Sequence, residues 1–176
     1  MNIQKVITDV VILFLGLFSA LIAIYFIINK DLQQFFDLRK LEQLNQNKKE
    51  LLPLRLQAYE RLILFIDRIN PTNLLLRLHQ QGITVSVLQS VAVQEIRTEY
   101  QHNITQQLYV GSETWTVVRK LKEDTIAMIN NAVQGLPPDA NGVDLSKLIL
   151  QHMASISDNP YDLTMELVKK DIQALF

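Results

Sequence analysis

Apolar positions along this chain fall into two regimes. From Val10 to Ile28 (VVILFLGLFSALIAIYFII) 19 consecutive residues carry no charge. From Leu51 onward, apolar residues recur at helical spacing among polar ones. At 1.5 Å rise per residue the first run covers about 29 Å, close to the hydrocarbon thickness of a bilayer. It predicts a transmembrane helix over residues 6–28. A cleaved signal peptide fits less well: with Ala20 or Ala23 just before the cut, Phe18 or Leu21 falls where a small residue is needed.

The flanks of that run predict an orientation. Lys5 precedes it and is offset by Asp9, whereas Lys30, Arg39, Lys40, Lys48 and Lys49 follow it. The positive-inside rule then places the N-terminus outside and the C-terminal domain in the cytoplasm, in the cell inner (cytoplasmic) membrane, single-pass. Gly16 with Ala20, and Ser19 with Ala23, are small-xxx-small pairs at which a second helix would approach in lipid. Residues 30–50 read as a juxtamembrane helix or linker, and NQNKKE (45–50) as a hinge. The expected order is an anchor over 1–29, a linker over 30–50 and an α-helical domain over 51–176.

Within the domain the period is helical throughout. Leu52, Leu56, Tyr59, Ile63, Ile66 and Ile69 line one face, with Leu64 and Phe65 off it. That predicts a helix buried on more than one side and ended by Asn70-Pro71. Thr72 or Asn73 caps a short helix that Gly82 ends. Thr84 opens a long helix to about Tyr109. After the turn at Gly111-Ser112, Ser112 caps a helix over Glu113–Gln134. Its inward face is Trp115, Val118, Leu121, Thr125, Met128, Ile129 and Ala132. Gly135 and Pro137-Pro138 stop it. Asp144 caps the next helix, and the last runs from Pro160 to about Leu175. The expected fold class is all-α, one transmembrane helix followed by a small bundle of five or six helices with antiparallel neighbours.

Charge and composition narrow the chemistry. The net charge of −1 argues against a general nucleic-acid binder, which carries a basic excess. The absence of cysteine excludes disulfides, zinc ribbons and a thiol nucleophile. No P-loop, dinucleotide-binding glycine motif, H-E-x-x-H or nucleophile elbow occurs. No catalytic residue and no cofactor is implied.

Three groups of polar residues stand out. Glu95, Glu99 and His102 continue the early apolar face of the long helix as a polar stripe, and Glu99-x-x-His102 has the spacing of a di-iron ligand pair. A di-iron bundle needs that motif twice, and neither His79 nor His152 has a carboxylate three residues earlier. A solvated helix face accounts for the stripe more simply. Glu60, Arg61, Asp67 and Arg68 interrupt an apolar run, with Arg77 and Arg97 as partners for Asp67. They form either a structural ion pair that fixes helix order or a charged groove. Asn103-Ile104-Thr105 is an N-x-T triplet, expected on the cytoplasmic side and so out of reach of glycosylation.

Two segments, RLQAYERLILFIDRINPTNLLLRL (55–78) and EYQHNITQQLYVGSETWTVVRKLKEDTIAMINN (99–131), resemble an uncharacterised family of bacterial single-pass membrane proteins with a helical cytoplasmic domain. The resemblance implies a bacterial inner-membrane setting and transfers no activity, cofactor or catalytic residue. The expected function is a membrane-anchored helical interaction protein: an adaptor, scaffold or accessory subunit of a membrane assembly, with a protein partner or self-association. The alternatives are a ligand- or metal-responsive sensor using Glu95, Glu99 and His102, and an enzyme without a recognisable motif.

Overall fold

A computed structural model describes residues 3–176. Before position 51 it describes the side chains of residues 13–19, 21, 22, 25, 38–40, 42, 43, 46, 49 and 50. The helices are α1 (Ile3–Ile69), α2 (Pro71–Leu78), α3 (Val85–Asn103), α4 (Ser112–Gln134), α5 (Gly142–Ser155) and α6 (Pro160–Gln173), with a 3₁₀ turn at Ile104–Leu108. Among the described residues there is no strand, and Thr84 and Asn141 form an isolated antiparallel bridge. The chain divides into two compact units, Met1–Glu50 and Leu51–Phe176.

The all-α expectation holds, but the transmembrane helix does not. Among the described residues no helix is long and apolar enough to cross a membrane. The apolar run is not a bounded element. It is one stretch of α1, which has 67 residues and continues without a break into the charged positions beyond Asn29. The span over residues 6–28, its use as a membrane contact and the single-pass inner-membrane localisation are overturned together. Gly16 has nothing within 4 Å of the place a Cβ would occupy, and the Ser19 hydroxyl donates to the Gly16 carbonyl at 2.9 Å. Ala20 and Ala23 lie outside the described side chains.

The hinge expected at residues 45–50 is helix as well. Asn45 to Glu50 is polar, but Gln, Lys and Glu are good helix formers, so polarity there does not break the chain. Even Pro53, which withdraws a backbone donor, lies inside α1.

In the unit Leu51–Phe176, α4 is the central helix, packed against α3, α5 and α6, while α2 and α3 each also touch α5. The core is one cluster. Tyr59, Leu62, Phe65, Ile66 and Ile69 of α1 meet Leu74 and Leu75 of α2, and Leu88, Ala92 and Ile96 of α3. Trp115, Val118, Leu121, Ile126 and Ile129 of α4, Leu145 and Ile149 of α5, and Tyr161 and Val168 of α6 complete it. Leu64 stays 54% exposed, so α1 buries one broad face rather than two. Phe65, Tyr100 and Trp115 form an aromatic run, with ring centroids 6.1 and 5.7 Å apart, that joins α1, α3 and α4.

Helix ends follow local chemistry. Asn70 Oδ1 accepts from the Thr72 amide, so the cap of α2 sits before Pro71 and not at Thr72 or Asn73. Thr84 Oγ1 accepts from the Val87 amide and opens α3. Asn141, not Asp144, caps α5. Its side chain accepts from Val143 and Asp144, and Asp144 reaches back to the Asn141 amide in a capping box. Asn159 caps α6.

Gly142 is demanded by a close approach. Its amide donates to the Ile83 carbonyl at 2.9 Å, and a Cβ would stand 2.5 Å from Ile83 Cγ2 and 2.8 Å from that oxygen. This contact joins the loop before α3 to the start of α5.

A candidate site between α1 and α3

Residue contacts fix how these two helices lie. Arg68 meets Glu99, Phe65 meets Tyr100, and Arg55 Nε donates to the Tyr109 carbonyl at 3.0 Å. Rising numbers on one helix pair with falling numbers on the other, so the C-terminal part of α1 and α3 run antiparallel. A slot of about 370 Å³ opens along the seam. Gln57, Glu60, Arg61, Leu64, Phe65 and Arg68 form its α1 wall, and Glu99, His102 and Asn103 its α3 wall.

Glu99 anchors the slot. It belongs to the buried row Leu88, Ala92, Ile96, Glu99 and Asn103, spaced by three or four residues and therefore on one helix face. A carboxylate on such a row needs a partner, since burying an uncompensated charge is strongly unfavourable. Arg68 supplies it by donating Nη1–H to Glu99 Oε1. The Arg68 side chain remains 56% exposed while that of Glu99 is 11% exposed, so the pair points outward from a buried acid. Asn103 Nδ2 donates to the Glu99 carbonyl at 2.8 Å. The Asn103 side chain is buried and engaged, and this burial, not a membrane side, keeps the N-x-T triplet from display.

The other singled-out residues are placed apart. Glu95 pairs with Arg77 at 3.5 Å, both about two-fifths exposed. Asp67 takes neither Arg77 nor Arg97. It accepts from Asn73 Nδ2 at 2.8 Å. Among the described residues Arg97 joins no ion pair, and it borders a polar depression with Gln89 and Asn130, whose side chains bond at 3.0 Å. His102 is exposed on the rim of the slot. The stripe Glu95–Glu99–His102 is thus divided between a surface pair, a buried pair and a free imidazole. Among the described residues no group of three or more His, Cys, Asp and Glu could hold a metal ion.

A second polar centre escaped the sequence reading. Asp171 of α6 accepts through Oδ2 from the Tyr59 hydroxyl (2.8 Å), the Thr114 hydroxyl (2.7 Å) and the Gly111 amide (3.2 Å). Gly111 has no side chain with which to cap α4; the Asp171 carboxylate instead holds the Gly111 amide and the Thr114 hydroxyl beside the start of that helix. Burial alone would raise the Asp171 pKa. The donors Thr114, Tyr59 and Gly111, with the nearby Arg55 charge, outweigh it and hold the carboxyl below its ordinary value. Burial and the Asp171 carboxylate push the Tyr59 phenol up. Nothing local announces this centre, because its members are separated by up to 112 positions.

Residues 5–175 match a family of unknown function, DUF7935. The chain belongs to that family. The match covers both units of this DUF7935 chain, the site residues included, and agrees with the expected resemblance to an uncharacterised family. It says nothing of a bacterial source or a membrane. No curated protein and no solved structure matches.

Proposed function

We propose that the chain is a helical interaction protein, an adaptor, scaffold or accessory subunit that works by holding another protein chain. One observation carries the reading. Leu13, Phe14, Leu15, Leu17, Phe18, Leu21, Ile22 and Tyr25 of α1 are each 43–69% exposed. At 100° per residue these positions cover an arc of about 200° of the helix surface, and a broad exposed apolar face of that kind marks a place where something else binds. A protein chain, a second copy included, is the occupant proposed.

The test is crosslinking and affinity purification of the tagged full chain from gently lysed cells, followed by its native mass. The expected result is a complex of defined stoichiometry that the double variant Phe14→Glu, Phe18→Glu dissolves without loss of helicity in the bundle. A lone monomer, or an assembly indifferent to those substitutions, overturns the reading.

A further inference from the structure

The slot between α1 and α3 carries more than its structural ion pair. On α1, Gln57, Arg61, Leu64 and Arg68 lie four, three and four residues apart, a single exposed stripe with two guanidinium groups two turns apart. Arg68 is engaged with Glu99. Among the described residues, Arg61 and His102 enter no hydrogen bond or ion pair. The antiparallel pairing of Phe65 with Tyr100 and Arg55 with Tyr109 sets Arg61 opposite the turn of α3 that follows Glu99, where His102 and Asn103 lie. One end of the slot therefore brings together an unengaged guanidinium and an unengaged imidazole. Phe65, itself backed by Tyr100, closes the floor, and Leu64 stands at the mouth.

We propose that this slot binds a small monocarboxylate with a compact apolar body. The planar guanidinium of Arg61 matches a carboxylate in a two-pronged hydrogen bond, and His102 donates to the same group. Leu64 and Phe65 receive the apolar part. The cavity volume lies within the range of small-ligand sites. Glu60 borders the same end but forms no ion pair with Arg61 among the described residues, so the guanidinium stays available to a ligand. The negative charge of Glu60 disfavours a dianion such as phosphate and leaves a singly charged carboxylate as the better fit. The proposal is independent of what covers the apolar part of α1.

Isothermal titration of the full chain with sodium benzoate, and separately with inorganic phosphate, tests it. The expected result is saturable benzoate binding that is tighter than phosphate binding. Arg61→Gln, an exposed side chain whose loss leaves no internal partner stranded, should weaken benzoate by about tenfold or more. His102→Gln should weaken it less. Glu60→Gln should narrow the preference for benzoate over phosphate. No saturable benzoate heat, or equal affinity in Arg61→Gln, overturns the site. An unchanged preference in Glu60→Gln overturns the assignment to a monocarboxylate.

Discussion

The guanidinium of Arg68 reaches from α1 to the carboxylate of Glu99 on α3, and the two partners differ in their access to water. Glu99 is held in the helix interface, while more than half of the Arg68 side chain is in solvent. The pair is therefore asymmetric: Arg68 can survive alone and Glu99 cannot.

That asymmetry sets the first expectation. Arg68→Ala strands a buried carboxylate and should cost about 2–3 kcal/mol, below the range for a fully buried pair because water reaches the site. Glu99→Gln removes the charge but keeps an acceptor, and should cost about 1 kcal/mol. Urea unfolding of both variants checks the order. Equal losses would mean that the pair is as screened as the Arg77–Glu95 pair, where Arg77→Gln should cost under about 0.5 kcal/mol.

Asp171 makes stability depend on pH in the acid range. Its pKa in the folded protein lies below its ordinary value. The stabilisation is therefore present above the unfolded pKa, near 4, and is lost as pH falls through the lower folded value. Thermal unfolding from pH 6 to pH 2 should show this loss, and Asp171→Asn should flatten it while lowering stability at pH 6. An Asp171→Asn curve parallel to that of the unsubstituted protein would show that another carboxylate carries the acid transition.

A buried hydroxyl pair on α4 and α6 separates a donor from its acceptor. The Thr125 hydroxyl already donates to the Leu121 carbonyl at 2.7 Å, so the Tyr161 hydroxyl, 2.6 Å away, is the donor between the two side chains. Burial pushes the Tyr161 pKa up to about 12 despite that bond. Thr125→Val strands the phenol and should cost about 1–3 kcal/mol. Tyr161→Phe removes the donor and its need together and should cost less. Denaturation midpoints for the two variants decide the order.

Gly142→Ala should destabilise by about 1–3 kcal/mol, because the new methyl meets both the side chain and the backbone oxygen of Ile83. Adding Ile83→Ala should recover only part of the loss, since the oxygen remains. Full recovery would place all the strain on the side chain. Calorimetry of the single and double variants measures it.

Much of the element pattern in the bundle was legible because its punctuation is local. Asn70-Pro71, Thr84, Gly135 and Asn159-Pro160 each carry a backbone preference or a capping oxygen that acts within a turn. The transmembrane reading rests on the length and composition of one uncharged run, and in the structure that run is a stretch of a 67-residue α-helix that continues into polar sequence. The long helix ending near Tyr109 in fact tightens to a 3₁₀ turn after Asn103, a change in backbone bonding with no composition mark. The sequence places Glu99 on this helix but within a solvated face, whereas it is buried. The row Leu88–Ala92–Ile96–Glu99–Asn103 marks it as buried. Its partner Arg68 and the donors around Asp171 depend on which helices meet, which the local period does not encode.

The Tyr59–Asp171 bond closes a loop of 112 positions and joins the first helix of the bundle to the last. During synthesis Tyr59 emerges long before Asp171, and the Gly111 amide and Thr114 hydroxyl must wait for the same carboxylate. The earlier helices can gather locally, but final closure is delayed until the last helix arrives. Loop-closure entropy makes that step slow relative to the local ones. Until then the apolar faces destined for α6 are open to other chains, so the risk of misassembly is concentrated in the interval before α6 is made.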